Sequence, residues 1–309
     1  MIKIENFSMS YGGRLAVDNI SFDIRKGEIV GFLGPNGAGK TTTMRAITGY
    51  IYPLKGEIWA AGYNMRKNSL EAREKIGYLP ETIPLYTEMT TRSYLFFAAR
   101  LRGMERKQAQ KRIDEVVEVC RLGEYIDVLT GKLSKGFRQR VGIAQAIIHD
   151  PDVLILDEPT VGIDPLQVAQ TKELIKELGK KRTILLSSHI LPEVKLICER
   201  VIIINKGKIV AEENISKLST LLKSRQKLKL RIEGPTDEII KYLSDIDDLS
   251  EVIYQEPYHI IEFEEGKKPQ SKINKVIAEK DWNLLLMEDM EMSLEEIFIK
   301  LTHDMENDS

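Results

Sequence analysis

Cysteine is nearly absent from this chain. Cys120 and Cys198 are the only two in 309 residues, and each falls in a helix-like segment. That excludes a disulfide framework and points to reduced, structural thiols of a cytosolic protein. Histidine is almost as scarce: there are four, scattered, none at the spacing of zinc ligands, so no zinc site is expected. No apolar run approaches the ~18 residues needed to cross a bilayer. Met1-Ile2-Lys3-Ile4-Glu5 lacks the charged-then-apolar layout of a secretory leader. Net charge is only −2, which argues against nucleic acid or an anionic membrane surface as a general partner. What is present is apolar content of 42%, enough for proper cores, in a length that suits one large domain or two ordinary ones.

One stretch carries most of the chemistry. Gly34-Pro35-Asn36-Gly37-Ala38-Gly39-Lys40-Thr41 has the G-x-x-x-x-G-K-[ST] spacing of a phosphate-cradling P-loop. The apolar run Glu28–Leu33 before it reads as a buried strand, and Thr41–Ile47 after it, beginning Thr41-Thr42, reads as a helix start. A strand feeding a Gly-rich turn and then a helix points backbone N–H groups at an anion. Side chains at Gly37 or Gly39 would block phosphate from the backbone. Lys40 supplies positive charge for the outer phosphates, and Thr41 a hydroxyl for magnesium. Thr42 stands where a dinucleotide fingerprint needs its third glycine, so that alternative fails.

Other stations follow along the chain. Val153-Leu154-Ile155-Leu156-Asp157-Glu158 is an apolar strand ending in two acids. Asp157 is placed to hold magnesium through water, and Glu158 to orient or deprotonate an attacking water. Leu133-Ser134-Lys135-Gly136-Phe137 precedes a helix; Ser134 is a good N-cap, and Gly136 admits close approach of a ligand to the backbone. His189 follows an apolar strand and could reach a terminal phosphate. Asp164 sits in a tight turn, and Tyr11, in a turn before the second strand, could stack on a flat base.

The pattern of elements is α/β. Continuous apolar strands separated by helices indicate a parallel sheet covered on both faces, and residues from Thr90 to Ile148 read as helical. Lys217 to Lys227 reads as a charged, mostly helical connector. Beyond it the order is βαββαβ, with a last helix opening at Ser293-Leu294-Glu295-Glu296 at capping-box spacing, which suggests a small ferredoxin-like domain.

These stations, in this order, resemble the ATP-binding subunits of ABC transporters over residues 1 to 217, with a helical subdomain near 82–150 and an accessory domain at 218–309. The tail, with Asp281-Trp282 and Ser293–Phe298, is similar to that of the drug-export and gliding-type branch. The resemblance implies an ATPase that powers export of an unknown substrate through separate integral-membrane permease subunits, from the cytoplasmic face. It implies paired copies, each ATP held between the P-loop of one copy and Ser134 and Gly136 of the other. Mg²⁺ would sit on Thr41 and Asp157, with help from Glu81; Asp164 would belong to the D-loop, His189 would hold the closed geometry, and Tyr11 would stack on adenine. Two motifs depart from the family pattern. The signature has Lys135 and Phe137 where LSGGQ has Gly and Gln, and Tyr78-Leu79-Pro80-Glu81 ends in Glu instead of Gln. Rival readings are a GTPase, for which Asn205-Lys206-Gly207-Lys208 lacks the final Asp, an ABC ATPase acting on a ribosome or nucleic-acid complex, and a regulatory module that has lost hydrolysis.

Overall fold

The computed structural model describes residues 1–217, 225–264 and 266–290. The helix expected from Ser293 lies outside them, as does 218–224 of the expected connector. The chain divides into two compact units, Met1–Asn214 and Ile215–Ser309.

The first unit is built on two sheets. One is antiparallel, in the order β2-β1-β4-β5: β1 is Ile2–Tyr11, β2 Arg14–Ile24, β4 Lys55–Ala60 and β5 Tyr63–Asn64. The other is six-stranded, in the order β10-β9-β3-β8-β7-β6. Its strands are β3 (Ile29–Leu33), β6 (Ile76–Leu79), β7 (Val153–Leu156), β8 (Thr183–Ser188), β9 (Arg200–Asn205) and β10 (Lys208–Asn214). All pairs are parallel except the β9–β10 edge. Every residue of β3, β7 and β8 is buried, as expected of parallel strands covered on both faces. The helices are α1 (Lys40–Ile47), α2 (Ser69–Glu74), α3 (Thr91–Leu101), α4 (Arg106–Val119), α5 (Lys135–Ile147), α6 (Pro165–Gly179) and α7 (Leu191–Lys195). In α4 Ile113 and Val116 are buried, Val117 is half-buried, and Cys120 just after the helix is buried too.

Parallel order places the carboxyl ends of β3, β7 and β8 side by side, and ligands of such sheets bind there. The P-loop leaves β3, the two acids leave β7 and His189 leaves β8.

The stretch Asn205-Lys206-Gly207-Lys208 proves to be the β9–β10 hairpin. Lys206 and Gly207 both have positive φ, 47° and 80°, the backbone of a tight hairpin turn and not of a base-reading loop. Its Gly207 N–H donates to Ala38 O at 2.9 Å and so buttresses the P-loop.

In the second unit β11 (Arg225–Glu233), α8 (Thr236–Ser244), β12 (Leu249–Gln255), β13 (Tyr258–Glu264), α9 (Gln270–Glu279) and β14 (Asn283–Met290) follow the expected βαββαβ order. The sheet is antiparallel, ordered β12-β13-β11-β14. Leu228, Leu230, Ile261 and Phe263 of the sheet pack with Ile239, Leu243, Ile273 and Ile277 of the helices. The connector expectation needs correction at its end: Arg225 to Lys227 are strand, because each pairs across to β13.

Candidate functional site

The P-loop joins two rigid elements. Gly34 N–H donates to Ser188 O at 3.2 Å, and a Cβ at Gly34 would collide with the Ile204 carbonyl. Gly39 has φ 110°, and a Cβ there would lie 2.7 Å from Ala16 O. Gly37 has open space around it, so its requirement is the positive φ of 77°. Pro35 and Ala38 shape the turn through Ala38 N–H to Pro35 O, 3.2 Å. No side chain caps α1, so its first N–H groups are left to an outside acceptor. Lys40 is buried. Its Nζ donates to Gly34 O at 2.7 Å and Pro35 O at 3.2 Å, and lies 3.2 Å from Glu158 Oε1.

Gly37, Gly39 and Lys40 line a cavity of about 400 Å³ with Asn36, Thr41, Thr42, Glu81, Glu158 and His189, whereas Gly34, Pro35 and Ala38 shape the loop without lining it. Asp157 lies beneath it, fully buried. Burial pushes its carboxyl above the usual range; hydrogen bonding by Ser187 and Thr41 opposes this, the Glu81 charge adds to it, and Lys40 opposes it. Oδ1 accepts from Ser187 Oγ at 2.6 Å, while Oδ2 is buried with no protein donor. Magnesium fits here: it is a hard cation that takes one or two carboxylates and fills its remaining positions with phosphate oxygens and water. Among the described residues there is no group of three or more His, Cys, Asp or Glu that could hold a metal ion.

Glu158 takes a left-handed backbone, φ 49°, rare for a residue with a side chain. Its N–H donates to Ser187 Oγ at 2.9 Å. One carboxylate oxygen faces Lys40, and the other accepts from His189 Nδ1 at 3.1 Å. Ser187 therefore serves both acids with one hydroxyl. Sequence reasoning passed it over as a flank of His189; the available signal was a serine in an otherwise apolar buried strand end.

The remaining expected residues lie elsewhere, and none lines the cavity. Tyr11 is the last residue of β1, paired with Arg14 instead of in the turn itself, and is 47% exposed. Ser134 caps α5, its Oγ accepting from Phe137 N at 3.4 Å. Asp164 caps α6, accepting from Gln167 N at 3.0 Å. Gly136 is buried against Gln167, whose Cγ a Cβ would approach to 2.9 Å. Gly136 and Asp164 thus meet at Gln167, and Ser134 caps the helix that carries Gly136. The unusual signature residues have local partners: Phe137 stacks on Tyr125 with ring centres 3.7 Å apart, and Arg140 lies over Phe137 at 5.2 Å. The Lys135 ammonium lies against Gly162, in the turn before α6.

Comparison with known proteins places this geometry. The family model described as "ABC transporter" matches residues 17–161. The "Bacitracin transport ATP-binding protein BcrA" of Bacillus licheniformis is 36% identical over 303 residues, 97% of both chains. The "Linearmycin resistance ATP-binding protein LnrL" of Bacillus subtilis is 33% identical, covering 98% of both. Among solved structures, "Structure of ATP binding subunit of ABC transporter" superposes with TM-score 0.64 at 30% identity, over 71% of this chain and 92% of that one. "Dimeric Structure of MJ0796, a Bacterial ABC Transporter Cassette" does so with TM-score 0.64 at 26% identity, over 70% and 99%. The P-loop cassette, the acids at its strand ends and relatives that run the length of both units agree: the chain belongs to the ABC transporter family, as an ATP-binding, ATP-hydrolysing subunit of its drug-export branch.

Proposed function

We propose that two copies of this chain close on ATP at two shared sites and drive export through separate membrane subunits on the cytoplasmic face. One observation carries this reading: the groups expected to face phosphate lie in two separate places. The P-loop cavity holds Lys40, Thr41, Glu158 and His189, whereas Ser134 and Gly136 stand at the start of α5, outside it. A second copy can supply the missing donors, and a solved relative is titled as a dimer.

In this account the first N–H groups of α1 and Lys40 grip the phosphates. Lys40 exchanges its bond to Glu158 for phosphate, which frees that carboxylate oxygen to accept from water. His189 holds the other oxygen in place, and Asp157 and Thr41, with Glu81 nearby, are the oxygen donors for magnesium. Bound there, the ion neutralises phosphate charge. Tyr11, which is exposed, stacks on the base, and Asp164 positions the turn that faces the partner copy. ATP favours the closed pair by its higher affinity for that state, and hydrolysis removes the bias.

No helix among the described residues is long and apolar enough to cross a membrane, so force has to pass to other subunits. A groove between α2, α3 and the end of β6 offers the docking place: Tyr50, Leu70, Tyr86 and Leu101 are all more than half exposed along it. The relatives are named for bacitracin transport and linearmycin resistance, which supports a compound of that kind as cargo. Those transport names and the near-neutral charge count against work on ribosomes or nucleic acid.

Complementation tests the shared site. Lys40→Ala and Ser134→Arg chains should each be inactive alone, and mixing them should restore ATP turnover, because a mixed pair contains one intact junction. Absence of any recovery, with mixed pairs shown to form, would refute the shared site.

A further inference from the structure

Glu158 holds a left-handed backbone that residues with side chains adopt only when their surroundings impose it. Part of that surrounding is a closed ring of contacts. The carboxylate accepts from His189 Nδ1 at 3.1 Å. From His189 the chain runs into α7, where Glu193 N–H donates to Ile190 O at 3.2 Å and sets Glu193 one turn on. Glu193 Oε2 accepts from Thr160 Oγ1. Thr160 lies in the turn that Glu158 begins, closed by Val161 N–H to Glu158 O at 3.3 Å. Thr160 is buried, and the Glu193 side chain is only 15% exposed, with Oε1 3.8 Å from Lys172 Nζ on α6. Neither Thr160 nor Glu193 lines the P-loop cavity.

On the near side, the two loops that carry Glu158 and His189 are tied by the bond between those side chains, by the Ser187 hydroxyl that holds Glu158 N–H and Asp157, and by the sheet behind them; the Thr160–Glu193 contact ties them on the far side. That far-side tie fixes their separation while phosphate competes with the carboxylate for Lys40. We propose that Glu193 is a positioning residue for hydrolysis: through Thr160 it holds the turn that aims Glu158, and through α7 it holds the His189 ring against that carboxylate. This rests on the proposed roles of Glu158 and His189.

Steady-state turnover and direct ATP binding by the full chain test it. Glu193→Ala should lower kcat about 10- to 100-fold, the usual scale for loss of a group that orients a reacting one. KM and ATP affinity should hold within about twofold, since the P-loop contacts are untouched. Glu193→Gln keeps an acceptor for Thr160 and should bring kcat back to within about threefold of the parent. Thr160→Val should resemble Glu193→Ala, and the double variant should be no worse than either, because both remove one bond. Parental kcat in Glu193→Ala, equal damage in Glu193→Gln, or additive losses would overturn the proposal. If Glu193→Ala fails to fold, the Gln variant and Thr160→Val decide alone. Glu158→Gln separates the two failures: an inactive Glu158→Gln beside a fully active Glu193→Ala sinks only the brace, whereas a fully active Glu158→Gln sinks the role of Glu158 and the brace with it.

Discussion

At the scale of single residues, the site works through exchange of partners. Lys40 is satisfied by two P-loop carbonyls and Glu158, so phosphate has to outcompete a buried ion pair already made. Asp157 keeps one oxygen without a donor, a costly arrangement that a cation relieves. Chelating magnesium should therefore abolish turnover, and restoring the ion should recover it. Ser187 is the least obvious member. Ser187→Ala strips a donor from Asp157 and an acceptor from the Glu158 N–H at once. We expect kcat to fall about 10- to 100-fold, as for other groups that orient metal-binding carboxylates, with ATP affinity little changed. Unchanged kcat would show that the sheet alone holds both acids. The P-loop was legible in sequence because its glycines, lysine and threonine act within eight consecutive residues. Ser187 was not, because its partners are 29 and 30 residues away and meet it only where β7 and β8 run side by side.

At the scale of elements, apolar runs announced β3, β7 and β8, the strand before His189, and the βαββαβ order of the C-terminal unit was legible too. What sequence could not show was order: nothing in β11 names β13 and β14 as its neighbours. Helix α6 opens on good start signals, Asp164 and Pro165, but the same two residues also fit a tight turn and so do not by themselves announce a helix. Strand β10 went unread because its residues are mostly half-exposed and show no alternation. The junction of α5 with β6 makes a pH-dependent contact. His149 donates from Nε2 to Ile76 O at 3.0 Å, and its Nδ1 is buried without a partner. Burial, with the charge of Arg102 behind it, lowers its pKa from 6.5 to about 4. The unfolded chain therefore takes up the extra proton first. Stability from this group is full above about pH 6.5 and is lost as pH falls toward 4. His149→Gln should flatten the fall of melting temperature across that window; an unaltered slope would assign acid sensitivity elsewhere.

At the scale of the whole molecule, the family resemblance was legible because six separate motifs kept their order, and the relatives span both units. The exposed aromatic and aliphatic side chains between α2 and α3 make a prediction about assembly. Leu101→Glu should abolish co-purification with the membrane subunits while ATP turnover by the isolated chain stays at the parent rate, since Leu101 is 71% exposed and remote from the P-loop lining. Retained co-purification would move the docking surface. Pairing is the central proposal: Ser134 and Gly136 lie outside the P-loop cavity, and a partner copy would bring them a phosphate. Sedimentation of Glu158→Gln, saturated with ATP and magnesium, measures it directly. The account predicts a nucleotide-dependent dimer that dissociates when ATP is withdrawn; a monomer with ATP bound at full occupancy would contradict it.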